Sequence, residues 1–180
     1  MELELLLERE PWSMALSALK HWGGMELLDR QLQTTAQWQG RLHWARRLRL
    51  PPLLALVANA ADPLSLARRL QLPHGQQHWL LQMSSLDQQL PDGAWPDRPS
   101  GWAKVLESPG LSAQAVALAL IRGQLPRGPL LRWLLRWRFV RGPHSAQELL
   151  DQGWRPGPAL GRELERQRGL VLDQNSWIQE

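Results

Sequence analysis

The chain has 180 residues, 43% of them hydrophobic and 21% charged, with a formal net charge of +4 and no cysteine. That length is enough to bury a real core in one domain or two small ones, while the missing cysteine excludes a disulfide scaffold, thiolate-ligated zinc or iron–sulfur centres and a cysteine nucleophile. The start, Met1-Glu2-Leu3-Glu4-Leu5, lacks the basic region of a signal peptide, and the longest weakly polar run, Leu50 to Ala61, falls short of the roughly 18 residues a membrane span needs; a soluble, cytoplasmic protein is expected.

Only nine residues are Val, Ile or Thr, whereas Leu supplies 38. Strands favour β-branched residues and helices favour Leu, Ala, Gln, Arg and Glu, so the chain reads as all-α, with stacked helix pairs forming a body and a smaller helical tail. Residues 2–32 read as a first helix pair. Pro11 suits a first helical turn, Trp12, Ala15, Leu16 and Leu19 share one face, and Gly23-Gly24 stops the helix before Met25 to Leu32 resume it. A polar, basic helix follows over 35–49. Pro51-Pro52 breaks it and Leu53 to Ala60 form the next. Asp62-Pro63 is an N-cap plus first-turn proline opening a helix to about Leu72.

Arg47-Leu48-Arg49-Leu50-Pro51 recurs 22 residues later as Arg69-Leu70-Gln71-Leu72-Pro73, which points to helix pairs with similar endings rather than a solenoid. Leu80, Met83, Leu86 and Leu90 mark an amphipathic helix over 74–90. Pro91 to Gly101 reads as a linker. Helices are expected at 112–122 and 129–141, then a capping box at Ser145 and Glu148, and a last helix from Pro156-Gly157-Pro158 to about Arg168. The resulting divisions are 1–33, 34–91, a linker at 92–110 and a tail at 111–180.

Most catalytic motifs are missing. Lys20 and Lys104 have no P-loop context. Gly153, Gly157 and Gly161 lack the preceding strand of a dinucleotide fingerprint. Glu163 and Glu165 are two apart on a helix and point to different faces, and Asp92 and Asp97 lie in the linker, so no two-metal carboxylate pair is evident. His74 and His78 share a helical face, but the glutamate of a zinc-protease motif is replaced by glutamine and no third ligand is apparent. No nucleophile elbow occurs.

Charge is distributed unevenly: residues 31–70 sum to +5 and 122–168 to +6, with acidic stretches between and around them. Arg outnumbers Lys 19 to 2, a bias that genomic base composition also produces. The first basic island holds Arg41, His43, Arg46, Arg47 and Arg49, with Arg68 and Arg69 on the next helix. The second holds Arg132, Arg136, Arg138 and Arg141, interleaved with Trp133 and Trp137. Arg132 and Arg136 are four apart and line one stripe. Such stripes neutralise phosphates; solvated helix faces are the competing reading. The tryptophans are expected in the core. In Trp154-Arg155-Pro156-Gly157-Pro158-Ala159-Leu160-Gly161, prolines fix the approach, Gly157 allows a tight turn and Gly161 allows close packing. Backbone N–H groups there suit a phosphate, while a rigid docking turn is the alternative.

Ser145 to Gly161 resembles the C-terminal region of bacterial tRNA nucleotidyltransferases and the related poly(A) polymerases. Their pattern there is Gly-x-Asp-Leu, then Gly-x-x-Pro-Gly-Pro-x-Leu/Ile-Gly. The Pro-Gly-Pro portion is intact, with Ala146 and Glu148 in place of the upstream Gly and Asp. Glu4 to Leu32 and Leu48 to Leu90 look like the neck-to-body helices of the same family. The resemblance implies 1–33 as neck-remnant helices, 34–91 as body and 111–180 as tail. The catalytic head, with its Gly-Ser and Asp-x-Asp motifs, and the neck's nucleotide-selecting motif have no counterpart. An expressed fragment or a truncated paralogue is expected, inert by itself, with no catalytic residue, metal or cofactor of its own. Mg²⁺ and CTP or ATP would belong to the head.

The resemblance further implies tRNA as partner, alongside the catalytic head. Phosphate contacts fall to the arginines and His43 of the two islands and to Arg155, Gly157 and Arg162 beside the Pro-Gly-Pro turn. The alternative is a helical protein-interaction or homodimerisation module, with Leu3, Leu5, Leu6 and Leu7 as its apolar surface.

Overall fold

The structure, a computed structural model, describes residues 12–34, 38–90 and 95–174, and the chain is all-α. Among the described residues there are twelve α-helices, one 3₁₀ turn and no strand. The expected apolar N-terminal leucines at 3 and 5–7 lie outside the described residues. No described helix is long and apolar enough to cross a membrane.

Two compact units emerge. The first contains α1 (Trp12–His21), α2 (Gly24–Leu28), α3 (Arg30–Thr34), α4 (Trp38–Arg47), α5 (Pro52–Val57), α6 (Pro63–Arg69), α7 (His74–Gln89) and α9 (Ala113–Arg122). The second contains α8 (Pro99–Leu106), α10 (Arg127–Leu135), the 3₁₀ turn Trp137–Phe139, α11 (Ala146–Asp151) and α12 (Pro158–Gln174).

In the first unit two helices are apolar on every side and therefore central. Leu53 to Val57 of α5 and Ala115 to Ile121 of α9 are buried, and α9 packs on α7, α4 and α5. The expected face of α7 is confirmed: Leu80, Met83 and Leu86 are fully buried, with Leu90 close behind. Ser112 caps α9 by accepting the Ala115 N–H (3.3 Å) and ties it to α7 by donating from Oγ to Gln82 Oε1 (2.6 Å).

The five-residue repeat is a repeated helix ending. After α4, Leu50 N–H donates to Ala45 O (2.9 Å) and Arg49 N–H to Arg46 O (3.1 Å); after α6, Leu72 N–H donates to Ala67 O (2.9 Å) and Gln71 N–H to Arg68 O (3.0 Å). These are two Schellman motifs, and they place Arg49 (φ 56°) and Gln71 (φ 53°) in the left-handed region. The following Leu50 and Leu72 are buried, and Pro51 and Pro73 prevent the helix from resuming in the same direction. The pairs α4/α5 and α6/α7 are the expected stacked pairs with similar endings.

Several boundaries differ from expectation. Met25 to Leu32 is divided at Asp29, whose extended backbone ends α2 and whose carboxylate accepts from Gln31 N–H (2.8 Å) and, across the unit, from Ala61 N–H (3.1 Å). Helix α5 ends early because the buried Asn59 amide donates to Ala55 O (2.8 Å). Asp62 does cap α6, accepting from Ser65 N–H at 3.0 Å.

The stretch read as a linker, 92–110, carries α8. Pro99 stands in its first turn, and Asp173 accepts from both Ser100 N–H (2.9 Å) and Ser100 Oγ (2.7 Å), supplying the N-terminal partner that the local sequence lacks. Residues 112–125, read as the start of the tail, belong to the first unit. The expected helix 129–141 runs from Arg127 to Leu135 and then tightens into the 3₁₀ turn.

Candidate nucleic-acid interface

Arginine positions were read from sequence as phosphate contacts; the fold assigns them different roles. In the first basic island His43, Arg46, Arg47, Arg49 and Arg68 are exposed and Arg41 is half-buried. Arg46 and Arg47 occupy the last turn of α4, and Arg68 and Arg69 the last turn of α6. Cations at that end complement the partial negative charge of the helix C-terminus. Arg47 also lies over the Trp44 ring at 5.7 Å. Arg69 is committed inside the unit: its Nη2 donates to the carbonyls of Leu27 (3.4 Å) and Leu28 at the end of α2. Its first role is therefore to cap α2, which the sequence did not reveal because the partner lies about forty residues away.

The second island is built on a pinned turn. Arg132 is half-buried in a cleft of about 560 Å³ that it shares with Arg98, Trp102, Trp137 and Asp173. Arg136, Arg138 and Arg141 are exposed. Helix α10 ends at Leu135 and Arg136 caps it, its N–H donating to Arg132 O at 2.8 Å while its backbone leaves the helical region (φ −132°). Beyond them the backbone is held by a residue outside the predicted set. Arg168 of α12 donates from Nε to Val140 O (2.7 Å) and from Nη2 to Trp137 O (3.0 Å), a carbonyl that also accepts the Val140 N–H (3.1 Å). The same guanidinium grips Glu107 through both carboxylate oxygens, and Trp133 Nε1 donates to Glu107 Oε1 at 2.9 Å. The hydrogen bonds to Glu107 raise the Arg168 pKa above its ordinary value.

On this turn the Arg138 guanidinium lies 4.6 Å from the Phe139 ring centre and 6.0 Å from that of Trp133. Trp133 and Trp137 are buried, as expected for core tryptophans, whereas Phe139 is 64% exposed. Sequence reading passed over Phe139; its signal is that the one phenylalanine of the chain stands between Arg138 and Arg141.

The Pro-Gly-Pro segment folds as an exposed corner. The Ser145–Glu148 capping box is present in both directions, at 2.7 and 3.2 Å, and holds the Glu148 carboxyl below its ordinary pKa. Helix α11 then ends in a third Schellman motif, with Gly153 at φ 96° and Trp154 N–H donating to Leu149 O at 3.0 Å. Gly157 adopts φ 148°, a conformation that favours glycine. Residues 151–159 are all exposed, as are Arg155 and Arg162. The expectation for Gly161 does not hold: it is exposed, and a Cβ there would meet nothing within 4 Å. The close approach in this unit is made at Gly101, whose Cβ position lies 2.9 Å from Pro96 Cβ.

Glu163 is absorbed by Arg166 (2.7 and 2.8 Å) and Gln167 (2.9 Å), which lower its pKa to about 2, while Glu165 is exposed. His78 pairs with Gln82 at 3.0 Å. Among the described residues no three His, Asp or Glu side chains converge on a point where a metal would sit. No protein-family model, curated protein or solved structure matches the chain.

Proposed function

We propose that the chain is a tRNA-binding module similar to the body and tail of bacterial tRNA nucleotidyltransferases and poly(A) polymerases, and that it adds no nucleotide by itself. The observation that carries this reading is the exposed corner 151–159. It carries Arg155, is followed by Arg162, and is built on the segment whose sequence resembles that family. Folded RNA is recognised through phosphates and 2′-hydroxyls arrayed on a fixed shape, which suits arginines on a stiff helical frame. The exposed arginines at 46, 47, 49 and 68 and at 136, 138 and 141 supply further cations. Mg²⁺ and CTP or ATP would act on a catalytic head working with this module.

Fluorescence anisotropy with labelled tRNA, across a salt series and against duplex DNA competitor, tests the proposal. Preferential binding to tRNA that weakens steeply with salt is expected. Equal displacement by duplex DNA would reduce the interaction to nonspecific charge, and absence of binding would remove the reading.

A second reading has its own support. Met14, Trp22 and Leu27, on and beside α1 and α2, are 70%, 78% and 83% exposed. Large apolar side chains so displayed suit a protein partner or a second copy of the chain. Concentration-dependent association abolished by Trp22→Ser with Leu27→Ser would favour it.

A further inference from the structure

The geometry points to Phe139 as a stacking platform for an unpaired nucleobase, with Arg136 and Arg141 placed for the adjoining phosphates. This rests on the reading of the chain as an RNA binder and assigns a contact class to its second basic island.

Three observations combine. First, the ring is displayed although the same segment buries its other aromatic: Trp137, two residues earlier, is 2% exposed, against 64% for Phe139. Second, the display is supported. Trp133 is anchored by its indole N–H on Glu107, and the Arg138 guanidinium lies over both the Trp133 and the Phe139 rings. With Arg138 over the ring, Phe139 still leaves 64% of its surface exposed, and a further planar group can stack there. Third, the backbone that carries the ring is fixed on both sides by Arg168, through the carbonyls of Trp137 and Val140. A ring held in place loses little freedom on binding.

Charge selects the occupant. Arg136, Arg138 and Arg141 are exposed around the ring, and the nearby carboxylate of Glu107 is already neutralised by Arg168. A polyanion bearing flat apolar faces fits this surface better than a neutral apolar peptide. Paired bases hide those faces, and single strands present them to aromatic rings flanked by cations.

The test compares a fluorescein-labelled single-stranded RNA decamer with an A-form RNA duplex of the same length, at one fixed salt concentration. Phe139→Ala is expected to weaken single-strand binding by about tenfold, the scale of one lost base–aromatic stack, and to leave duplex binding unchanged. Phe139→Trp restores it. Phe139→Leu, which keeps apolar bulk without a π face, does not. Thermal melts of all three variants should match the parent, because the ring is exposed. Equal loss on duplex and single strand, restoration by Leu, or failure of the parent chain to bind single strands would each overturn the inference. Loss of self-association in place of RNA binding would overturn it too and assign the ring to a protein contact. The tRNA reading is scored separately. Single-strand binding through Phe139 without tRNA preference sinks that reading alone, and tRNA preference indifferent to Phe139 sinks this inference alone.

Discussion

The two basic islands carry similar net charge and hold it in different ways. In the first, Arg46, Arg47 and Arg68 ride on the last turns of α4 and α6, where the backbone itself offers a negative partner, and Arg69 is drawn onto the end of α2. In the second, Arg138 and Arg141 lie beyond the end of α10, on a turn whose carbonyls accept from Arg168. The lesson is that a charge count does not locate a binding face. A cation at a helix C-terminus already contributes roughly 0.3–1 kcal/mol to its own fold. In the second island Arg136 closes α10 in the same way, and only Arg138 and Arg141 stand past that end.

The largest effect should come from removing the pin. Arg168→Met deletes the hydrogen bonds to Val140, Trp137 and Glu107 and leaves a half-buried carboxylate with only Trp133. A loss of about 2 kcal/mol in urea unfolding is expected, discounted from the fully buried case because both partners remain partly exposed. An unchanged midpoint would mean that the turn is held by packing alone.

Next come paired charge reversals. Arg132→Glu with Arg136→Glu should lower tRNA affinity about tenfold and flatten the salt dependence by roughly 0.9 for each phosphate no longer neutralised. Arg46→Glu with Arg47→Glu should do less, because the cost falls partly on α4. Equal effects would erase the distinction between the islands.

A smaller change tests the repeated helix endings. Gln71→Gly relieves a side chain in the left-handed region and should stabilise the first unit by about 0.5 kcal/mol, read as a higher melting temperature. Destabilisation would show that the Gln71 side chain contributes more than its backbone strain costs.

The most modest contrast is in acid. Burial raises the Asp87 pKa against the lowering effect of Arg122, 3.0 Å away. Between 3.8 and that raised value the folded state holds a proton that the unfolded chain has released, so Asp87's contribution becomes more favourable as pH falls through the window. Glu163 has the opposite sign. Its pKa is lowered from 4.5 to about 2, so its contribution is complete above 4.5 and disappears as pH falls toward 2. Stability–pH curves of Asp87→Asn and Glu163→Gln, each subtracted from the parent, should therefore slope in opposite directions.

Much of the local structure was legible. The excess of Leu over β-branched residues gave the class, Asp62-Pro63 and Ser145–Glu148 gave helix starts, and the Arg-Leu-x-Leu-Pro repeat gave two helix ends. Each is a short-range preference written within five residues. What was hidden depends on partners far along the chain. Asp173 caps Ser100 across 73 positions, which turns a Pro/Gly-rich stretch into a helix. Arg168 reaches Glu107 across 61, which ties α12 to the end of α8. The candidate site was legible as a set of cations and not as a surface, because nothing local separates an arginine that caps a neighbour from one that faces outward.

The placement of α9 has a consequence for synthesis. The first unit is made of residues up to 89 together with 112–125, so its buried helix α9 is the last of its parts to leave the ribosome. Until residue 125 has emerged, the sides of α4, α5 and α7 that α9 covers have no partner from their own unit, and α8 is translated in the interval. The apolar seam that α9 covers can therefore close only after a segment that belongs to the other unit has been made.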